Sequence, residues 1–220
     1  MKSPQFPRAL GAIFFVPCCA TAATTVVFDK TVNTAIPDNN PSGLVSSISV
    51  SGVGQAVSSI EVVLSTQNGW NGDLYAYLEH DGIVSVLLNR SGRTATDSAG
   101  AASSGMLVRL SDSALVDSHT AISDIYQAFA TGTYQPDARG ADPDLVTDAS
   151  SRSMYLSGFG GHDADGDWTL FVADLSGGDV ATLSSWSLSV TTVPEPSGAV
   201  LAMLGATGAL FIRKRRERSA

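Results

Sequence analysis

Cysteine is nearly absent from this chain of 220 residues: there are two, Cys18 and Cys19, adjacent and close to the start. No disulfide framework and no thiolate site can be built downstream of them. Histidine is almost as scarce. His80, His119 and His162 stand far apart, none in a His-Glu-x-x-His zinc helix. There is no Gly-x-Ser-x-Gly elbow, and no His-Gly-Thr or Gly-Thr-Ser segment of the kind that frames a subtilisin-type triad. The expectation is a chain without hydrolytic machinery, its histidines solvated in loops. Basic side chains are few as well. Between residues 23 and 192 there are 19 Asp and Glu against 6 Lys and Arg, a net charge of −13. Such a surface repels nucleic acid and anionic lipid, whose binding is carried by Lys and Arg. An acid-rich, lysine-poor surface suits a secreted protein and divalent cations.

The two ends carry what the middle lacks. Lys2 and Arg8 precede an apolar stretch, Ala9 to Val16, and Ala20-Thr-Ala22 supplies a small-x-small cleavage site. Residues 1–22 therefore read as a secretory signal peptide. At the other end, Val193-Pro-Glu-Pro196 is followed by an apolar run of 16 residues, Ser197 to Ile212, and then by Arg213, Lys214, Arg215, Arg216 and Arg218. As a helix the run covers about 24 Å, short of a hydrocarbon core of roughly 30 Å. The basic cluster stays cytoplasmic by the positive-inside tendency, which puts everything before Val193 outside. One reading is a plain single-pass anchor. The order of triplet, helix and basic end also resembles the PEP-CTERM sorting signal of Gram-negative bacteria. That resemblance implies that an exosortase recognises Pro194, Glu195 and Pro196 and removes the membrane helix and basic tail. The mature protein is then displayed at the cell surface or released.

The residues between, 23–192, are enough for one domain with a substantial core. Their pattern is β. Thr24 to Asp29, Val45 to Ser51, Val57 to Ser65, Asp73 to Glu79, Ile83 to Leu88, Met106 to Leu110, Ser153 to Leu156, Trp168 to Ala173 and Leu183 to Val190 read as strands. In Leu74-Tyr-Ala-Tyr-Leu78 the aliphatic residues face one way and Tyr75 and Tyr77 the other. Gly, Asn and Asp punctuate the runs, as at Asn68-Gly69, Asp81-Gly82 and Gly177-Gly178. Many short strands so separated predict an antiparallel sandwich or barrel. Asp117 to Phe129 has room for a helical turn or two, and Gly132 to Ser151 reads as a long polar loop.

Two segments resemble the P domain (P/Homo B domain) that follows the catalytic domain of kexin- and furin-type proprotein convertases. The resemblance rests on Gly72-Asp73-Leu74, on Gly166, Trp168 and Leu170 in a Gly-x-Trp-x-Leu strand, and on Trp186 and Leu188 in a closing Trp-x-Leu strand. It runs from about Ile36 to Val190 and implies an all-β, jelly-roll antiparallel β-sandwich. It departs from the family in loops: Gln67-Asn-Gly-Trp70 has no His before the Gly-Asp-Leu step, and extra residues separate Pro136 from Phe159. The family's proteolytic domain has no counterpart in these residues.

Metal and glycan chemistry remain. Asp163-Ala-Asp-Gly-Asp167 sets Asp163, Asp165 and Asp167 at alternate positions of a turn, a source of oxygens for calcium, with Asp73 or Asp38 as helpers. The alternative is an ordinary Asp-Gly turn. It is not an EF-hand loop, because its glycine is in the fourth place. Trp168 and Trp186 stand in apolar strand patterns and read as core. Trp70, in a loop, is the candidate sugar contact. The function expected is that of an exported, non-catalytic module, a structural or adhesive component of the envelope or extracellular matrix. Two alternatives stand beside it: an accessory to a separately encoded subtilisin-like endopeptidase, and a glycan-binding module. An exposed apolar patch favours the first of these, and an open groove lined by Trp70, Tyr75 or Tyr77 the second.

Overall fold

The computed structural model describes residues 23–122 and 125–193. The leader and the sorting tail, with Pro194, Glu195, Pro196, Arg213, Lys214, Arg215, Arg216 and Arg218, lie outside them. Among the described residues no helix is long and apolar enough to cross a membrane.

Among the described residues nine strands make two facing sheets. They are β1 (Thr24–Ala35), β2 (Leu44–Val50), β3 (Val57–Trp70), β4 (Leu74–His80), β5 (Ile83–Asn89), β6 (Ser104–Ser111), β7 (Ala130–Tyr134), β8 (Gly166–Asp174) and β9 (Thr182–Thr192). One sheet has the order β1-β9-β3-β6-β7 and the other β2-β8-β4-β5. Apart from β7, the pairs nest: β4 with β5, β3 with β6, β2 with β8, β1 with β9. The chain is thus a long hairpin rolled across two sheets. Most of its contacts join distant segments, so the alternation of apolar residues has to fix each register.

That alternation is strict where the sheets face each other. In β8, Trp168, Leu170 and Val172 are buried and point inward with Asp174, while Thr169 and Phe171 point out. In β4, Leu74, Ala76, Leu78 and His80 point in, and Tyr75, Tyr77 and Glu79 out. Trp168 and Trp186 fill the space between the sheets and are no more than 1% exposed. Each indole N–H finds an acceptor: Trp168 donates to the Ala164 carbonyl and Trp186 to the Ser46 hydroxyl, both at 3.0 Å. Full burial of a large apolar side chain contributes roughly 1.5–3 kcal/mol, so these strand interiors carry the stability.

Three expectations need correction. The segment Gly132 to Ser151 is not all loop: Gly132–Tyr134 belong to β7, which pairs parallel to β6 and makes that sheet mixed. Ser153 to Leu156 is not a strand. Met154 offers its carbonyl to the Val86 amide and the Ser85 hydroxyl, and the backbone then winds into a 3-10 turn, Leu156–Phe159. The histidines are not all solvated. His162 is exposed, but His80 and His119 are fully buried. The segment after Asp117 holds one helical turn, within the turn or two expected: α1 (Ser118–Ala121), capped by the Asp117 carboxylate on the His119 amide.

Candidate functional site

The outward face of the β2-β8-β4-β5 sheet carries aromatic rings where polar residues would be ordinary. Tyr77 of β4 and Phe171 of β8 are register partners and stack at 4.8 Å with 18° between planes. Tyr75 completes the group, 6.0 Å from Tyr77 and 6.4 Å from Phe171. These rings floor an open cleft of about 480 Å³. One wall is Asn39 and Pro41, the other Asp142, Pro143 and Asp144, and Ala173 and Leu175 close the end. The phenols of Tyr75 and Tyr77 and the amide of Asn39 make no hydrogen bond to the described residues, so they are available to a ligand.

Both walls are fixed in place. Asn40 donates its amide to the Asp174 carbonyl at 2.8 Å and caps its own turn through the Ser42 amide. Arg93 donates to the carbonyls of Pro143 and Asp144 at 2.7 and 3.0 Å. Behind the second wall lies a buried network. Asp137 accepts from His119 Nδ1 at 2.7 Å and from Arg139 at 3.2 Å, and Arg139 reaches Asp117 at 2.8 Å. Burial lowers the His119 pKa, but the hydrogen bond and charge of Asp137 outweigh it and hold the ring above its ordinary value. His119 Nε2 is bonded to the Arg93 carbonyl at 2.9 Å, and the His119 and Asp137 side chains are both fully buried.

The Asp163 turn does not gather its carboxylates. Asp165 accepts from the amides of Gly52 and Val53, which hold its pKa below the usual carboxylate value. Asp163 accepts from the Asp165 amide, and Asp167 from the Ser49 hydroxyl. Each is turned to its own partner, and the turn staples the loop after β2. His80 ties it further: its two ring nitrogens lie 3.0 and 2.9 Å from the carbonyls of Asp167 and Asp163, and the ring stacks on Trp168 at 3.9 Å. Asp73 and Asp38 cannot assist there. Asp73 sits beside Asp174, at the far end of β8 from Gly166, and eight strand steps span about 26 Å. Asp38 is at that far end too, accepting from the Gly178 amide. Among the described residues no three His, Cys, Asp or Glu side chains are placed to hold a metal ion between them.

Trp70 is half-buried at the end of β3, where its ring meets Tyr126 edge-on at 6.1 Å, and it does not line the cleft. The sequence marked Tyr75 and Tyr77 as outward-facing. It gave no sign of Phe171, Asn39 or the Asp142–Asp144 wall, which converge only through the β4–β8 register.

No protein-family model and no curated protein matches the chain. Solved structures do. The chain is similar to the serine protease of Aeromonas sobria captured with the chaperone ORF2, at 16% identity and a TM-score of 0.47, over 80% of this chain and 28% of that one. The same protease solved alone gives 16% identity and a TM-score of 0.46, over 78% and 27%. The chain thus spans under a third of the length of the protein it matches.

Proposed function

We propose that this chain is an exported, non-catalytic jelly-roll module of the P-domain kind, an adhesive component of the envelope or extracellular matrix that grips neutral polysaccharide through the aromatic cleft. The observation that carries the reading is the cleft itself. Tyr75, Tyr77 and Phe171 offer ring faces for the C–H faces of sugars. Free phenols, the Asn39 amide and the Asp142 and Asp144 carboxylates offer hydrogen bonds to hydroxyls. The carboxylates repel acidic polymers, which restricts the ligand to uncharged ones. Retardation of the purified full chain in gels cast with neutral polysaccharides tests it. Wild type is retarded by at least one of them, and Tyr75→Ala with Tyr77→Ala abolishes the retardation while leaving melting and circular dichroism intact. Equal migration of both proteins in every gel overturns the polysaccharide reading.

A second reading has its own observation. Tyr126 and Phe129 are 64% and 53% exposed beside Trp70 and Gly105, an apolar group outside the cleft. It suits an accessory role toward a separately encoded subtilisin-like endopeptidase. That role predicts co-purification of such an enzyme from the secreted fraction, lost when both rings become serine.

A further inference from the structure

The most anomalous polar group in the described fold is Asp174. It ends β8 at an inward-facing position, is fully buried, and its Oδ2 has no hydrogen-bond partner. Its Oδ1 accepts only the Ser176 amide, at 3.2 Å. Asp73, 7% exposed, stands next to it, because Leu74 pairs with Asp174 and the Asp73 carbonyl takes the Leu175 amide. Two buried carboxylates side by side are costly unless positive charge offsets them.

The positive charge at hand is small. Arg90 spends its Nε on the Gly72 carbonyl at 2.7 Å, reaches Asp73 at 3.5 Å, and reaches the exposed Asp144 at 4.0 Å. Against this one guanidinium stand four carboxylates, since Asp38 and Asp179 also act on the pair. Burial, then the charges of Asp73 and Asp38, push the Asp174 carboxyl up to about 6, and burial raises Asp73 as well. Arg90 alone does not offset two buried carboxylates, and the Asp174 Oδ2 is left without a partner. Asp38 and Asp179 are themselves exposed, and Asp73 is 7% exposed beside them.

We infer that the Asp73–Asp174 end of the sandwich binds a hard divalent cation of the calcium–magnesium class. Asp73 and Asp174 supply the carboxylate ligands, and Asp38 and Asp179 supply further negative field. Such ions take oxygen ligands and fill open positions with water, so two carboxylates suffice where a closed protein cage is absent. The cation joins the β4 entry to the β8 exit and the loops behind the cleft walls. Its uptake does not depend on what the cleft binds.

The test is thermal melting of the full chain at pH 7.5, freed of metal with chelator and then titrated with calcium chloride or magnesium chloride. The expected result is a saturable rise in Tm with at least one ion, because a ligand that binds only the folded state stabilises it. Asp174→Asn and Asp73→Asn each weaken the apparent affinity by an order of magnitude or more, whereas Asp165→Asn leaves it unchanged. If Asp174→Asn does not fold, Asp73→Asn and calorimetric titration of wild type decide the matter. An unchanged wild-type Tm with both ions overturns the site. So does a response that survives both amide variants, or one that Asp165→Asn removes.

Discussion

Two buried histidines sit at places where a pattern of outward polar residues would not put them. His119 is the more consequential. Both its nitrogens face acceptors, the Asp137 carboxylate and the Arg93 carbonyl, and only the doubly protonated ring donates to both. Its pKa is therefore higher folded than unfolded, and by linkage the folded state binds the proton more tightly. The stability this contributes is fully present below about pH 6.5, the ordinary value of the ring, and is lost as pH rises through the raised folded value. Denaturant titrations of wild type should show stability falling across that window. His119→Gln should be less stable by about 1–3 kcal/mol at pH 6 and should lose the slope above pH 6.5. An unaltered slope in the variant would mean that another group titrates. Sequence reasoning left both histidines in solvent. For His80 the signal was present, since it shares parity with Leu74, Ala76 and Leu78 at the end of β4. For His119 there was none: its partner Asp137 is 18 residues away in a loop without periodicity.

The elements divide the same way. Strands with a buried face could be read from their alternation. β4, β8 and β9 came within a residue or two at each end, because Trp168, Leu170, Trp186 and Leu188 recur at period two. β7 could not, since Ala130-Thr-Gly-Thr-Tyr134 is mostly exposed and its pairing is parallel. Ser153 to Leu156 misled because Met154 bonds β5 through its carbonyl alone, without a ladder. The Gly-Asp-Leu step joining β3 to β4 is where local sequence and packing agree most closely. The Gly72 amide bonds the Ala101 carbonyl at 2.9 Å, and a Cβ on Gly72 would lie 2.5 Å from the Ala101 nitrogen. Neither backbone can yield without moving Asp73 from Asp174 and Leu74 from the core. Gly72→Ala should therefore cost about 1–3 kcal/mol in chemical denaturation, as overpacking does. It should also blunt the melting response to divalent ions. A variant as stable as wild type would show that the 71–73 turn can slide without consequence.

For the whole molecule, the arrangement of its two poles matters most. Thr24 pairs with Thr192, so the first and last strands meet at one pole, beside the His80-bound turn at Asp163. The acidic pair Asp73–Asp174 and the walls of the cleft lie toward the other, about 26 Å away along β8. A chain tethered through residues beyond Val193 would hold its aromatic cleft toward the pole away from the tether. β9 lies between β1 and β3 and is bonded on both sides up to Thr192. Every strand of the described sandwich is therefore complete before Pro194. Processing at the Pro-Glu-Pro triplet, which the resemblance to the PEP-CTERM signal implies, gives a direct expectation for the protein recovered from the cell surface or medium. Mass spectrometry should find peptides from residue 23 up to about Pro196 and none from the apolar run or the basic end. The processed form should also melt at the temperature of the full chain. Recovery of mature chains that end at Ala220 would leave a plain anchor in place of a processed signal. A lower melting temperature for the processed form would mean that the tail packs on the sandwich and does more than carry it.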